Sequence, residues 1–308
     1  MYPLIAKIST TVRNFVMLYG LRLGFAVGSQ VAPEATMRRA ARLFSTPLSS
    51  SRKRALAATD AGARETQLQV DDHRITTYVW GDPASQPYVL FAHGWSSHGT
   101  RIAAWLPKLQ AEGYAVVAFD QPAHGRSPGR HATLPDFTRH LLAVGAHYGP
   151  AAAVIGHSLG GAATMLALAR GLQAERAVLI APAADPVAAT ERFARTMWIG
   201  ANLCERMFAY FERRIGISFD SQQAHLNAPN IGRPALIVHD LEDRDVPWSE
   251  GERYARYWPD SHLLTTRGLG HRRVLDDAQV IQAGLRFLHG ENVGERLVSS
   301  TNLPFGVA

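Results

Sequence analysis

Residues 151–161 read Ala151-Ala152-Ala153-Val154-Ile155-Gly156-His157-Ser158-Leu159-Gly160-Gly161. The first five are apolar and read as a buried strand. The segment after Ser158, up to residue 169, is rich in small and apolar residues and reads as a helix. The pattern G-x-S-x-G therefore falls at a strand-to-helix junction. A turn this sharp holds the serine at its apex with positive φ. The residues two before and two after must be small, because larger side chains would collide, and here they are Gly156 and Gly160. The turn also sets the first amides of the helix beside the serine, at the end that carries partial positive charge. Ser158 is thus a candidate nucleophile. Its bland alternative is an incidental serine in a glycine-rich turn, and the strand–turn–helix context argues against that.

Outward from this junction, short apolar runs alternate with helical periodicity. Strands are expected at 66–71, 75–80, 88–92, 115–119, 151–155, 177–181, 235–239 and 262–266. Helices are expected at 102–109, 134–147, 159–169, 250–257 and 278–289, with Pro107 inside the first. Strands apolar on both faces and separated by helices imply an α/β fold with a mostly parallel central sheet covered on both sides. The organisation expected is a basic helical extension at 1–65, an α/β body at 66–290 with a cap at about 186–230, and an unpatterned tail at 291–308.

Composition narrows the function classes. In 308 residues, 46% hydrophobic and 19% charged, there is ample material for a core and no sign of disorder or of a fibre. Cys204 is the single cysteine, so one chain forms no disulfide framework and no cysteine-based metal centre. No His/Asp/Glu cluster shows metal-ligand spacing, so no metal is expected. Residues 1–64 hold 10 of the 32 Lys+Arg but only 2 of the 26 Asp+Glu, so the body is nearly balanced. A balanced body argues against nucleic-acid binding, for which a basic stripe across the fold is expected. Within 1–31, Leu4, Ile5, Ile8, Val12, Phe15, Val16, Tyr19 and Leu23 repeat at helical spacing, while Lys7, Arg13 and Arg22 interrupt the segment. Three readings stand: a helix docked on the body, an interfacial helix on an anionic membrane, or a targeting peptide. The expected location is cytoplasmic, with peripheral membrane contact through 1–31 under the second reading. The run 49–54, three serines then Arg-Lys-Arg, reads as a solvated linker.

A serine hydroxyl needs a base and an orienting acid. His271, in a glycine-flanked loop after the last strand, is the candidate base. Asp243, in a loop after the preceding strand, is the candidate acid; Asp240, Glu242 and Asp245 crowd the same loop, and Asp185 is a further rival. All follow strand ends, so they share the carboxyl edge of the sheet, where open α/β folds bind ligands. His157 is read as locked to the turn and pointing elsewhere. Negative charge developing on a substrate carbonyl calls for preorganised donors. The amides of Leu159 and of Trp95, in the turn opened by His93-Gly94, are the candidates for this oxyanion hole.

With these motifs in order, together with Asp120-Gln121-Pro122-Ala123-His124-Gly125-Arg126-Ser127, the chain resembles the α/β-hydrolase superfamily over about residues 66–290. The resemblance departs at Ala123 and Asp240, where glycine is usual. It implies a cofactor-independent serine hydrolase that cleaves a carboxylic ester, esterase- or lipase-like, through an acyl-enzyme. Acyl transfer, thioester cleavage and carbon–carbon bond hydrolysis use the same three residues, and a non-catalytic binding protein on this scaffold is the third class. Haloalkane dehalogenation would need a carboxylate at 158. The aromatics of 186–220 either face a cleft, favouring a small hydrophobic ester, or form the cap's own core.

Overall fold

The computed structural model describes residues 2–297, and for residues 2–11, 13 and 14 the backbone alone. The readings of Leu4, Ile5 and Ile8 as part of an apolar face, and of the tail from 298 onward, lie outside the described residues.

Among the described residues, eight strands form one sheet: β1 (Arg64–Val70), β2 (His73–Trp80), β3 (Tyr88–Ala92), β4 (Ala115–Phe119), β5 (Ala151–His157), β6 (Ala174–Ile180), β7 (Ala235–Asp240) and β8 (Ser261–Thr266), in the order β1-β2-β4-β3-β5-β6-β7-β8. β2 pairs antiparallel with β1 and β4, and every other pairing is parallel. The period-2 geometry of a strand sends successive side chains to opposite faces. Leu90, Val117, Phe119 and Val154 accordingly pack on one face, and Val89, Phe91, Val116 and Ile155 on the other. Helices Leu134–Tyr148, Leu159–Ala169 and Trp248–Tyr257 contribute to the first core, and Ala278–Leu288 and the segment around Trp105 to the second.

Each expected strand is found within a few residues of its place. The helix expected over 102–109 is a 3-10 turn, Gly99–Ala104, followed by a helix at Leu106–Ala111. Pro107 sits in the first turn of that second helix, where a missing N–H costs nothing. The linker reading of 49–54 is corrected. Ser49–Ala57 is a helix, Ser51 is buried, and the Arg52 guanidinium donates to the carbonyls of Ser127 (2.9 Å) and Ala123 (3.4 Å). Composition alone suggested solvent because the acceptors for Arg52 lie more than seventy residues away.

The chain divides into two compact units. The sheet and its helices belong to Thr46–Asp185 with Ser221–Ala308; Met1–Ser45 with Pro186–Asp220 form the other. The second unit contains helices Tyr2–Val31, Pro33–Phe44, Pro186–Thr196 and Ala201–Ile215. It has a core of its own from Phe25, Met37, Ala40, Leu203, Met207 and Phe211. Phe193, Phe208, Tyr210 and Phe219 pack against that core, so the aromatic enrichment of 186–220 is accounted for by internal packing, with Trp198 left exposed.

Candidate active site

Ser158 is the residue between β5 and helix Leu159–Ala169, with φ 56° and ψ −121°. A non-glycine residue adopts this region only where its surroundings impose it. They do so here: the Ser158 amide donates to the Ile180 carbonyl on β6, and its own carbonyl accepts from the amide of Gly161. A Cβ on Gly156 would sit 2.8 Å from the Gly160 carbonyl oxygen and 2.8 Å from Gly161 Cα. A Cβ on Gly160 would collide with the carbonyl oxygens of Ala92 and His93 at the end of β3. The demand for glycine at 160 thus comes from a neighbouring strand, which local spacing does not reveal.

The structure brings Ser158, His271 and Asp243 together. Ser158 Oγ is 2.8 Å from His271 Nε2, and His271 Nδ1 is 2.8 Å from Asp243 Oδ2. Since an ionised carboxylate only accepts, Nδ1 carries the proton and donates to Asp243, leaving Nε2 to accept from the hydroxyl. His271 lies in a one-turn helix, Gly270–Arg273, reached from β8 through Gly268 and Gly270, both at positive φ. Asp243 follows β7, and its Oδ1 accepts from the amides of Asp245 (2.8 Å) and Val246 (2.9 Å). Burial alone would raise its pKa. The adjoining imidazoles of His239 and His271 and the Val246 amide outweigh that and hold the carboxyl well below the usual carboxylate range.

The rival acids are used otherwise. Asp240 accepts from the Thr266 hydroxyl and the amides of Glu242 and Leu269, bracing the β7 and β8 ends. Asp185 is engaged by Arg253 at 2.7 Å. Asp245 and Glu242 are not bonded to His271; Glu242 lies 3.6 Å from Arg267.

Two histidines that sequence reasoning set aside or missed support this constellation. The His157 ring centroid is 5.0 Å from that of His271, and His157 Nε2 donates to the His271 carbonyl at 2.9 Å. It is fixed to the turn, as expected, but it reaches the His271 main chain rather than pointing away. His239, fully buried, has Nε2 3.0 Å from the Val246 carbonyl and 3.6 Å from Asp243 Oδ2. The only signal for it was its place at the end of an apolar strand, four residues before Asp243.

The His93-Gly94-Trp95 turn passes directly beside the serine. A Cβ on Gly94 would lie 2.9 Å from Ser158 Cβ and 3.1 Å from the His157 carbonyl. Side-chain hydrogen bonds shape this turn. His93 Nε2 accepts from the Gln121 amide (3.0 Å) while its Nδ1 donates to the Gly94 carbonyl (2.7 Å). His124 Nε2 accepts from the Ser96 amide (3.1 Å) while its Nδ1 donates to the Pro122 carbonyl (2.9 Å). The D-x-P-x-H-G-x-S segment therefore works as a clasp on the Trp95 turn. Asp120 completes it, accepting from the Tyr78 hydroxyl and the amides of Gly99 and Arg126. Ala123 there has φ 66°, which explains why glycine is usual at that place.

Burial pushes His93, His124 and His157 each down to about 3. All three are neutral in the folded protein at pH 7, whereas in the unfolded chain each titrates near about 6.5. Below that value the unfolded chain binds more protons, so stability is full above about pH 6.5 and is lost as the pH falls from there towards about 3. Each buried ring contributes up to ~1.4 kcal/mol per pH unit. Urea unfolding at pH 7.5 and at pH 5 should therefore show a clearly lower midpoint at pH 5. Coincident midpoints would mean that these rings are not held neutral.

Comparisons with known proteins bear on this arrangement. A family model described as serine aminopeptidase, S33, matches residues 83–291, a span that contains Gly94, Trp95, Ser158, Asp243 and His271. Over 98 residues the chain is 35% identical to a monoacylglycerol lipase of Mycolicibacterium smegmatis, a match covering 29% of this chain and 35% of that lipase. Among solved structures, the mouse α/β hydrolase domain-containing protein 10 superposes with a TM-score of 0.58 at 19% identity, covering 74% of this chain and 98% of that one. A bacterial membrane phospholipase A, described as a virulence factor, gives a TM-score of 0.58 at 19% identity over 90% of this chain and 98% of that one.

Proposed function

Since the chain belongs to the S33 serine aminopeptidase family of α/β hydrolases, we propose that this hydrolase cleaves a carboxylic ester through an acyl-enzyme formed on Ser158. The observation that carries the proposal is the unbroken hydrogen-bond chain from Ser158 Oγ through His271 to Asp243. In the first half-reaction Ser158 Oγ attacks the ester carbonyl as His271 Nε2 takes its proton, and Asp243 stabilises the imidazolium. The carbonyl oxygen, now negative, receives the amides of Trp95 and Leu159; each such donor contributes on the order of 10²–10³ in rate. His271 then returns the proton to the departing alcohol. In the second half a water, deprotonated by His271, attacks the acyl carbon, and His271 passes that proton to Ser158 Oγ as the acyl–Oγ bond breaks and the acid leaves.

The substrate proposed is a hydrophobic ester. Support comes from the two relatives whose names specify lipid esters, a monoacylglycerol lipase and a phospholipase A. Of the aromatics of 186–220, Phe193, Phe208, Tyr210, Phe211 and Phe219 pack in a core of their own and so do not contribute to it. The test is turnover of a nitrophenyl ester series from acetate to palmitate, with aminoacyl nitroanilides alongside. Ester cleavage rising with chain length is expected, and anilide cleavage at least tenfold slower. Turnover of the anilides alone would replace the ester reading with a peptidase one.

A further inference from the structure

The first helix is apolar on two opposite sides. In Tyr2–Val31 the side bearing Phe25 faces inward: Phe25 is 1% exposed within the core of the helical unit, and Gly28 lies against Thr36 of the next helix. Val12, Val16, Tyr19, Leu23 and Val27 follow one another at intervals of four, three, four and four residues, which places them on a single stripe of an α-helix. That stripe lies opposite Phe25 and is bare: Val16 is 63% exposed, Leu23 55% and Val27 60%, with Phe15 at 58% beside them. From Val12 to Leu23, the periodic face legible in the sequence is thus the uncovered one, and the packed side is the other. A surface helix normally turns polar residues outward, and one that is apolar all round is normally covered. Isolated exposed apolar residues need no explanation, but a continuous stripe from residue 12 to 27 does.

We propose that this stripe lies in the interfacial region of an anionic phospholipid bilayer, parallel to its plane. The charge distribution selects that occupant. Met1–Ser45 and Pro186–Asp220 together hold 11 of the 32 Lys+Arg and 5 of the 26 Asp+Glu; the other unit holds 21 of each. The whole net charge of +6 therefore sits on the unit that carries the stripe, and 1–33 contains no acidic residue. An apolar stripe on a basic unit matches the chemistry of an anionic lipid surface. At one edge of the stripe, Tyr19 meets the exposed Trp198 edge-on at 5.6 Å. The Arg22 guanidinium lies 5.4 Å from the Tyr19 ring and 5.5 Å from that of Trp198, and donates to the Thr196 carbonyl at 2.7 Å. Such amphipathic rings are favoured at headgroup depth. The helix lies in the surface rather than across it: among the described residues no helix is long and apolar enough to span, and Lys7, Arg13 and Arg22 recur along this one.

This proposal is independent of the ester reading. The full chain is floated with vesicles of phosphatidylglycerol and phosphatidylcholine in equal parts, and with phosphatidylcholine alone, at low and high salt. Flotation with the anionic vesicles, weakened by salt and by removal of phosphatidylglycerol, is expected. The double variant Val16→Glu, Leu23→Glu should float at least tenfold less while keeping the wild-type circular dichroism and thermal midpoint. Both positions are exposed, so folding is retained, and the fold is certified without any assay of turnover. No flotation of the wild type with anionic vesicles at low salt would overturn the proposal, as would a double variant that floats like the wild type. Sedimentation velocity run in parallel covers the remaining occupant: a wild-type dimer that the double variant splits, with no flotation by either, would assign the stripe to a second copy of the chain instead.

Discussion

Ser158→Ala is expected to abolish labelling by a fluorophosphonate probe and to lower ester turnover on the order of 10⁴-fold or more. The fluorophosphonate reacts with a serine only where a base has already prepared the hydroxyl. Here Oγ sits 2.8 Å from His271 Nε2, whose opposite nitrogen is held by Asp243 at 2.8 Å. Deleting one oxygen removes the nucleophile, while His271, Asp243 and the amides near the turn remain. The residual rate therefore reports what binding and electrostatics achieve without a covalent step. Stability should stay within about 0.5 kcal/mol of wild type, because no hydrogen bond of the turn's main chain passes through Oγ. Equal labelling of wild type and variant would assign the reactive nucleophile to another residue and remove the proposed mechanism.

Gly160→Ala should be as damaging by a different route. The added methyl would meet the carbonyl oxygens of Ala92 and His93. These are backbone atoms of a fully buried strand end and cannot rotate aside as a flexible side chain would. Relief requires helix Leu159–Ala169 to move away from β3, which pulls the serine out of its turn. Overpacking of this kind costs roughly 3 kcal/mol, a drop of about 5 °C in melting temperature for a chain of this size. The same shift separates Ser158 from the Gly94–Trp95 turn, so probe labelling should slow in parallel. Gly232→Ala is the matched control, since nothing lies within 4 Å of its added carbon. A Gly160→Ala protein that melts with the wild type and labels at the wild-type rate would show that the elbow tolerates a side chain there.

Much of this architecture was legible because its signals are local. The strands at 88–92, 115–119 and 235–239 are short apolar runs between turn residues, and burial on both faces leaves such runs little freedom to be anything else. Ser158 was legible for a similar reason: a strand, a glycine bracket and a helix within twenty residues leave one backbone path through the serine. His271 and Asp243 could be named as candidates from their positions after strand ends. Asp243 was named ahead of Asp240, but position after a strand did not exclude the rival. Asp240 ends β7 and Asp243 stands three residues on, and the difference lies in which oxygens the ends of β7 and β8 already use. Ser49–Ala57 and Arg52 were misread on the same ground, with partners far along the chain.

The linear order of residues determined the strand-and-helix alternation, the sharp turn at Ser158 and the uneven charge, since each follows from the chemistry of neighbours within a few positions. Only the folded chain decided which carboxylate meets His271, that His157 and His239 brace the loops around it, and which side of the first helix is left bare. The contacts of His271 with Asp243 and with His157 bridge gaps of 28 and 114 residues, and the choice of a partner at that range is made by packing and hydrogen-bond satisfaction, which no local periodicity encodes.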